Sequence, residues 1–185
     1  MFIKNYKIKS KICDGLIKCF NENKNFQRKG VLGAEHVVNK EKKDSIDLEA
    51  IHIVDNINVI NYLQELDKCI QEYKKQHPQI NQLASWRYFP DYNLQKYNPG
   101  QAYHSNHCEN MNPVSSHRVL AWMFYLNTIT DGGGTYFDNY DRTMDAVQGR
   151  CVIWPAYWTH FHKGIVSKTE TKYIATGWMS VIDSV

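Results

Sequence analysis

Apolar residues recur along this chain with two different periods, and the change from one to the other divides it into a helical part and a strand-rich part. Val59, Leu63, Leu66, Ile70 and Tyr73 follow alternating four- and three-residue steps, which predicts a helix with Asp55 available as a cap and Pro78 beyond its end. Nearer the N-terminus, Ile12, Leu16, Ile17 and Phe20 form a shorter helical stripe that Ser10 can cap and the Asn-rich turn near Asn21 ends. Both are core-packing faces, and the lysines around the first form its solvated side. Gln27 to Asp47 is polar and lysine-rich, punctuated by Gly30 and Gly33, and predicts a mobile, solvent-exposed loop able to cover a substrate. From Trp86 onward, aromatic and β-branched runs separated by Asn, Pro and Gly predict successive strands. Arg118 to Leu126 is apolar on both faces, as a strand is when it packs inside a barrel and also against covering helices. No repeat or linker interrupts the chain.

Composition narrows the class without naming the chemistry. At 185 residues the chain can bury one substantial core, and its size favours one domain. A formal charge of +3 comes without an arginine-rich stripe or a nucleic-acid module, so no specific nucleic-acid partner is indicated. The five cysteines, Cys13, Cys19, Cys69, Cys108 and Cys151, are odd in number and lack CxxC spacing, which favours free thiols in a reducing compartment. Lysines at positions 4, 7, 9 and 11 break up any signal-peptide core, and no later run approaches a membrane span. A soluble, cytoplasmic protein without a membrane partner is expected.

Candidate chemistry is concentrated in a few residues. In extended backbone, positions i and i+2 share a face, so His107 and Glu109 can converge on one ion while Cys108 points away. Two imidazoles and one carboxylate form the facial triad of non-haem Fe(II) oxygenases, which leaves coordination positions open for substrate and oxygen. His160 and His162 both offer the third ligand, and their shared strand parity does not separate them. In the last strand-like run, Lys172 shares a largely apolar face with Ile174, Thr176 and Trp178. A buried ammonium needs an anionic partner; without one, that strand end would be exposed and Lys172 solvated. Arg118 is expected to pair with a surface carboxylate and Trp178 to fill the core, while His104 and His117 are expected in surface or supporting positions.

From Leu94 to Met179 the sequence resembles the prolyl 4-hydroxylase-like branch of the Fe(II)/2-oxoglutarate dioxygenases. Tyr97-Asn98-Pro99-Gly100-Gln101-Ala102-Tyr103 is similar to the approach to that family's HxD/E element. Arg118 to Asn127 resembles the strand ending in YLN, and Gly133-Gly134-Thr135-Tyr136-Phe137 the GGxTxF turn and strand. Gly149 to Pro155 resembles the run before the distal histidine, and the order is the family's order. The short stand-alone form and Asn/Lys/Ile-rich texture also resemble small phage or bacterial oxygenases.

The resemblance implies a mainly β fold with N-terminal helices, a double-stranded β-helix or cupin-like jelly roll. It implies one oxygenase domain over residues 1–185, with 1–90 as helical support and flanking strands and 91–185 as the catalytic core. Because the family's lysine commonly follows its distal histidine by ten residues, it selects His162 over His160. It implies His107, Glu109 and His162 as ligands of Fe(II), and Lys172, Tyr125 and Tyr97 as the residues that bind 2-oxoglutarate. Its cofactors would be Fe(II), 2-oxoglutarate and O2, with ascorbate as an optional addition. Its activity would be hydroxylation of an unactivated C–H bond with release of succinate and CO2, on a prolyl or other peptidyl residue or on a small molecule. Two features depart from the commoner family pattern. Glu109 stands where Asp is usual, so its carboxylate must bend back or its backbone sit farther off, and Lys172 stands where many relatives use Arg. A different metal enzyme, such as a zinc enzyme, or a non-catalytic jelly-roll binding or structural protein could share the residues or the fold. Lys172 at its spacing favours the keto acid.

Overall fold

The protein is described by a computed structural model covering residues 1–33, 36–83, 85–88 and 92–181. Two helices and eleven strands are found among these residues. Helix α1 spans Ser10–Glu22 and helix α2 spans Ile57–Gln76. The strands are β1 (Lys4–Lys7), β2 (Gln27–Lys29), β3 (Ile46–Glu49), β4 (Trp86–Tyr88), β5 (Asn93–Tyr97) and β6 (Arg118–Tyr125), followed by β7 (Thr135–Phe137), β8 (Arg142–Met144), β9 (Arg150–Pro155), β10 (His162–Gly164) and β11 (Lys172–Val181).

A larger sheet runs β1-β9-β6-β11-β5-β3-β2, with β4 also paired to β11, and faces a smaller sheet ordered β10-β7-β8. All the pairings between these strands are antiparallel. This is the jelly roll that the sequence led us to expect. The alternation in β6 explains its apolar character on both faces. Leu120, Trp122 and Phe124 join Leu16, Phe20, Tyr62, Leu66 and Ile70 in the core beneath the helices. Ala121, Met123 and Tyr125 join Phe137, Met144, Trp154 and Ile174 in the core between the sheets. One strand therefore carries both the scaffold and the wall of the interior.

The helix stripes are confirmed, but both caps shift. Asn56, not Asp55, is the N-cap of α2, and its side chain accepts from the Asn58 N–H at 2.9 Å. The turn closed by Asn56 N–H on Ile53 O at 3.0 Å delays the helix by one residue. Ser10 is the first helical residue of α1 and Lys9 occupies the cap position without a side-chain bond. There the Ile8 N–H is held by Gly149 O at 2.8 Å, so the helix begins as the chain leaves the sheet.

The stretch from Gln27 to Asp47 is also not simply a solvated loop. Its ends form β2 and β3, and Lys43 and Asp47 are buried as an ion pair with Nζ 2.6 Å from Oδ2. Gly30 makes this possible, since a Cβ there would lie 2.1 Å from Ser45 Oγ and 3.0 Å from Lys43 Cε. Residues 34 and 35 of this stretch lie outside the described residues.

Candidate active site

His107 and His162 are brought together by a single antiparallel bridge, with His107 N–H donating to His162 O at 2.9 Å and His162 N–H to His107 O at 2.8 Å. The expected strand at His107–Glu109 is therefore only this bridge plus the Glu109 N–H bond to Ala156 O at 3.0 Å. It suffices. One ligand atom from each of His107, Glu109 and His162 lies within 4.8 Å of the others.

Both imidazoles are oriented by their own backbone surroundings. His107 Nδ1 is 2.9 Å from Ser105 O, and His162 Nδ1 is 2.9 Å from His160 O. A carbonyl only accepts, so each Nδ1 carries the proton and each Nε2 keeps its lone pair. Those Nε2 atoms face Glu109 Oε1 at 3.6 and 3.3 Å. His160 is separated from this cluster by its bonds: its Nε2 meets the Tyr140 hydroxyl at 2.9 Å and its Nδ1 the Thr159 hydroxyl at 2.8 Å. Geometry thus distinguishes two histidines that strand parity leaves equivalent.

Burial, seconded by the neighbouring His107, pushes His162 below the ordinary imidazole range, which favours its neutral form. Burial works against the Glu109 carboxylate, but its close contacts with the His107 and His162 imidazoles outweigh it and hold the acid well below its usual range. A carboxylate with imidazole lone pairs converging on one point is a donor set that fits a divalent first-row metal with open positions.

Two residues assigned elsewhere from the sequence meet Glu109. Trp178 Nε1 donates to Oε2 at 2.7 Å, and the Arg118 guanidinium stacks 3.6 Å from the Trp178 ring centroid. Arg118 Nη1 also donates to Glu109 O at 3.2 Å and lies 3.8 Å from Oε2. The long carboxylate is thereby fixed with Oε1 toward the histidines and Oε2 toward the indole. The signal was the shared strand face of Lys172 and Trp178; the partner on another element was invisible. Trp178→Phe is expected to lower Mn(II) affinity about tenfold or more, the scale of losing an outer partner of a metal ligand. Metal titration monitored by calorimetry checks this.

Lys172 is likewise buried, only 5% exposed. Its Nζ donates to Gly133 O at 2.9 Å and sits 4.7 Å from the centroid of Tyr97, its register partner across β5 and β11. Gly133 has φ +69, and a Cβ there would lie 2.6 Å from Ile129, so glycine both permits the turn and presents the carbonyl. No carboxylate is paired with this ammonium among the described residues, and burial lowers its pKa to about 8. The Tyr125 hydroxyl lies 2.7 Å from Thr135 Oγ1 and 3.0 Å from Met144 O, while the Tyr97 hydroxyl donates to Gln95 Oε1 at 2.8 Å. Thr135 was not singled out from the sequence as a site residue.

Residues 92–180, which hold all of these groups, match the model of the 2OG-Fe(II) oxygenase superfamily. This segment belongs to that superfamily. The protein is a dioxygenase that uses Fe(II), O2 and 2-oxoglutarate. Its fold is shared with a viral collagen prolyl hydroxylase from Paramecium bursaria Chlorella virus-1, solved as a 2-oxoglutarate complex, at TM-score 0.70 and 15% identity over 98% of this chain and 97% of that one. A Pseudomonas putida prolyl-4-hydroxylase matches at TM-score 0.72 and 14% identity over 97% and 92% of the two chains. A Trichoplax adhaerens prolyl hydroxylase, solved with a peptide fragment of hypoxia-inducible factor, matches at TM-score 0.72 and 14% identity over 96% and 83%. No curated protein matches this oxygenase in sequence. No helix among its described residues is long and apolar enough to cross a membrane.

Proposed function

We propose that this dioxygenase hydroxylates a prolyl residue of a polypeptide, with His107, Glu109 and His162 holding Fe(II) and Lys172 holding the far carboxylate of 2-oxoglutarate. Bound iron and co-substrate supply the oxygen-activating redox chemistry. The chain supplies placement. The bridge between His107 and His162 fixes two ligands, Trp178 and Arg118 fix the third, and the interior between the sheets excludes water from the co-substrate. Lys172, an ammonium buried without a carboxylate partner among the described residues, is the observation that carries the reading, since a dianionic keto acid would complete it. The Tyr97 ring flanks that ammonium, and Tyr125, paired across the sheet with Ile174, borders the same interior.

The polypeptide substrate is favoured by the rim. The loop after Glu109 exposes Met111 and Val114, the loop before His162 exposes Tyr157 and Trp158, and Trp158 is 71% exposed. The two loops are tied together by Glu109 and Asn110 N–H bonds to Ala156 O. An extended apolar border suits a chain better than a free amino acid. Incubation with a library of proline-containing peptides, read by mass spectrometry, should show gain of one oxygen atom on proline coupled to succinate release. Oxidation confined to free amino acids or other small molecules would replace this substrate assignment.

Lys172 also gives the pH dependence a sign. The ammonium form binds the carboxylate, and in the free protein it is lost as pH rises through about 8. Affinity for 2-oxoglutarate is expected to be flat below that pH and to fall by up to about tenfold per pH unit above it. Lys172→Arg should move the decline to higher pH in a calorimetric titration series.

A further inference from the structure

Behind Tyr97 lies a set of buried polar groups that metal binding does not require. Asp47 receives Lys43 Nζ at 2.6 Å, Ser45 Oγ at 2.8 Å and Gln95 Nε2 at 3.3 Å. All four residues are buried, and Asp47 and Gln95 are register partners across β3 and β5. Gln95 Oε1 then accepts the Tyr97 proton at 2.8 Å.

The direction of these bonds follows from the carboxylate at their centre. A carboxylate accepts and never donates, so every neighbour turns its donor inward. Gln95 must present its NH2 to Asp47 and hence its oxygen to Tyr97. Ser45 gives its only proton to Asp47. Reversing the Gln95 amide would set its oxygen against the carboxylate. Tyr97 has one proton, and it is committed to this group.

We propose that Asp47, acting through Gln95, is a positioning residue that withholds the Tyr97 proton from 2-oxoglutarate and thereby weakens co-substrate binding. Tyr97 then supports Lys172 through its ring while its hydroxyl bonds back into the sheet. A buried ion pair is often replaceable by apolar residues without loss of stability. The clearance Gly30 leaves for the Lys43 and Ser45 side chains shows that this one is built into the strand packing. The inference rests on the placement of the far carboxylate at Lys172.

The test is calorimetric titration of Mn(II)-loaded protein with 2-oxoglutarate. Removing the acceptor in Gln95→Met frees the Tyr97 proton for the co-substrate, and binding should tighten about tenfold, the scale of one hydrogen bond to a charged group. The gain should vanish when Tyr97→Phe is added. A purely structural role would give weaker binding instead. Lys43→Met/Asp47→Asn, which frees the Gln95 amide to reverse without leaving a lone buried ammonium, should shift binding the same way and serves if the first variant does not fold. Unchanged or weaker binding in the folded variants, with Lys172→Ala still impaired, would overturn the role of Asp47 alone. Undiminished binding in Lys172→Ala would instead remove the co-substrate placement, and this inference with it.

Discussion

His162→Ala is expected to lower iron affinity by at least about 100-fold and to abolish measurable turnover, whereas His160→Ala retains the iron complex. The contrast is the informative part, because the two imidazoles are two residues apart and both buried. His162 Nε2 faces Glu109 Oε1 at 3.3 Å, while both nitrogens of His160 are already bonded to Tyr140 and Thr159. Losing an outer partner of a metal ligand typically costs 10–100-fold, and losing the ligand itself leaves an open position that water fills less well. The His160 backbone carbonyl that holds His162 Nδ1 survives the alanine substitution. Anaerobic Fe(II) titration of both variants checks the pair. Loss of iron in His160→Ala with retention in His162→Ala would move the third ligand two residues upstream.

Lys172→Met is expected to weaken 2-oxoglutarate binding by about 100-fold or more, as removal of one partner of a buried charge pair does, while leaving most of the metal affinity. The same substitution should stabilise the protein without co-substrate. The Lys172 pKa falls from 10.5 unfolded to about 8 folded, which at neutral pH is a cost of about 3 kcal/mol, to order of magnitude. Between those pH values the unfolded chain binds more protons than the folded one, so wild-type stability rises with pH across that window. The advantage of Lys172→Met should therefore be full below about pH 8 and shrink above it. Urea unfolding at a series of pH values measures this. A gain in stability joined to a loss of co-substrate is what a binding lysine predicts; a solvated lysine would give neither.

Much of this was legible in the sequence because it is local or periodic. The apolar pattern of Arg118 to Leu126 requires cover on both sides, and β6 indeed serves two cores. Lys172 on an apolar strand face pointed to a solvated strand end by itself and to a buried ammonium only together with the His/Glu pattern, and it is buried. What was illegible depends on contacts between distant elements. Trp178 reaches Glu109 across 69 positions, so its strand position alone suggested core packing. Lys43 and Asp47, four apart in a lysine-rich stretch, looked solvated because nothing local reveals that Gly30 leaves room for them against β5. The helix caps failed by one residue for a similar reason, since preceding turns and the sheet decide where each helix begins.

Anaerobic addition of 2-oxoglutarate to the Fe(II)-loaded protein tests the assignment of these residues most directly. Chelation of the keto acid to iron should give a saturable visible charge-transfer band, absent in His162→Ala and displaced to much higher 2-oxoglutarate concentration in Lys172→Ala. A folded protein that binds iron yet develops no band, or whose band is unaffected by either substitution, would contradict it.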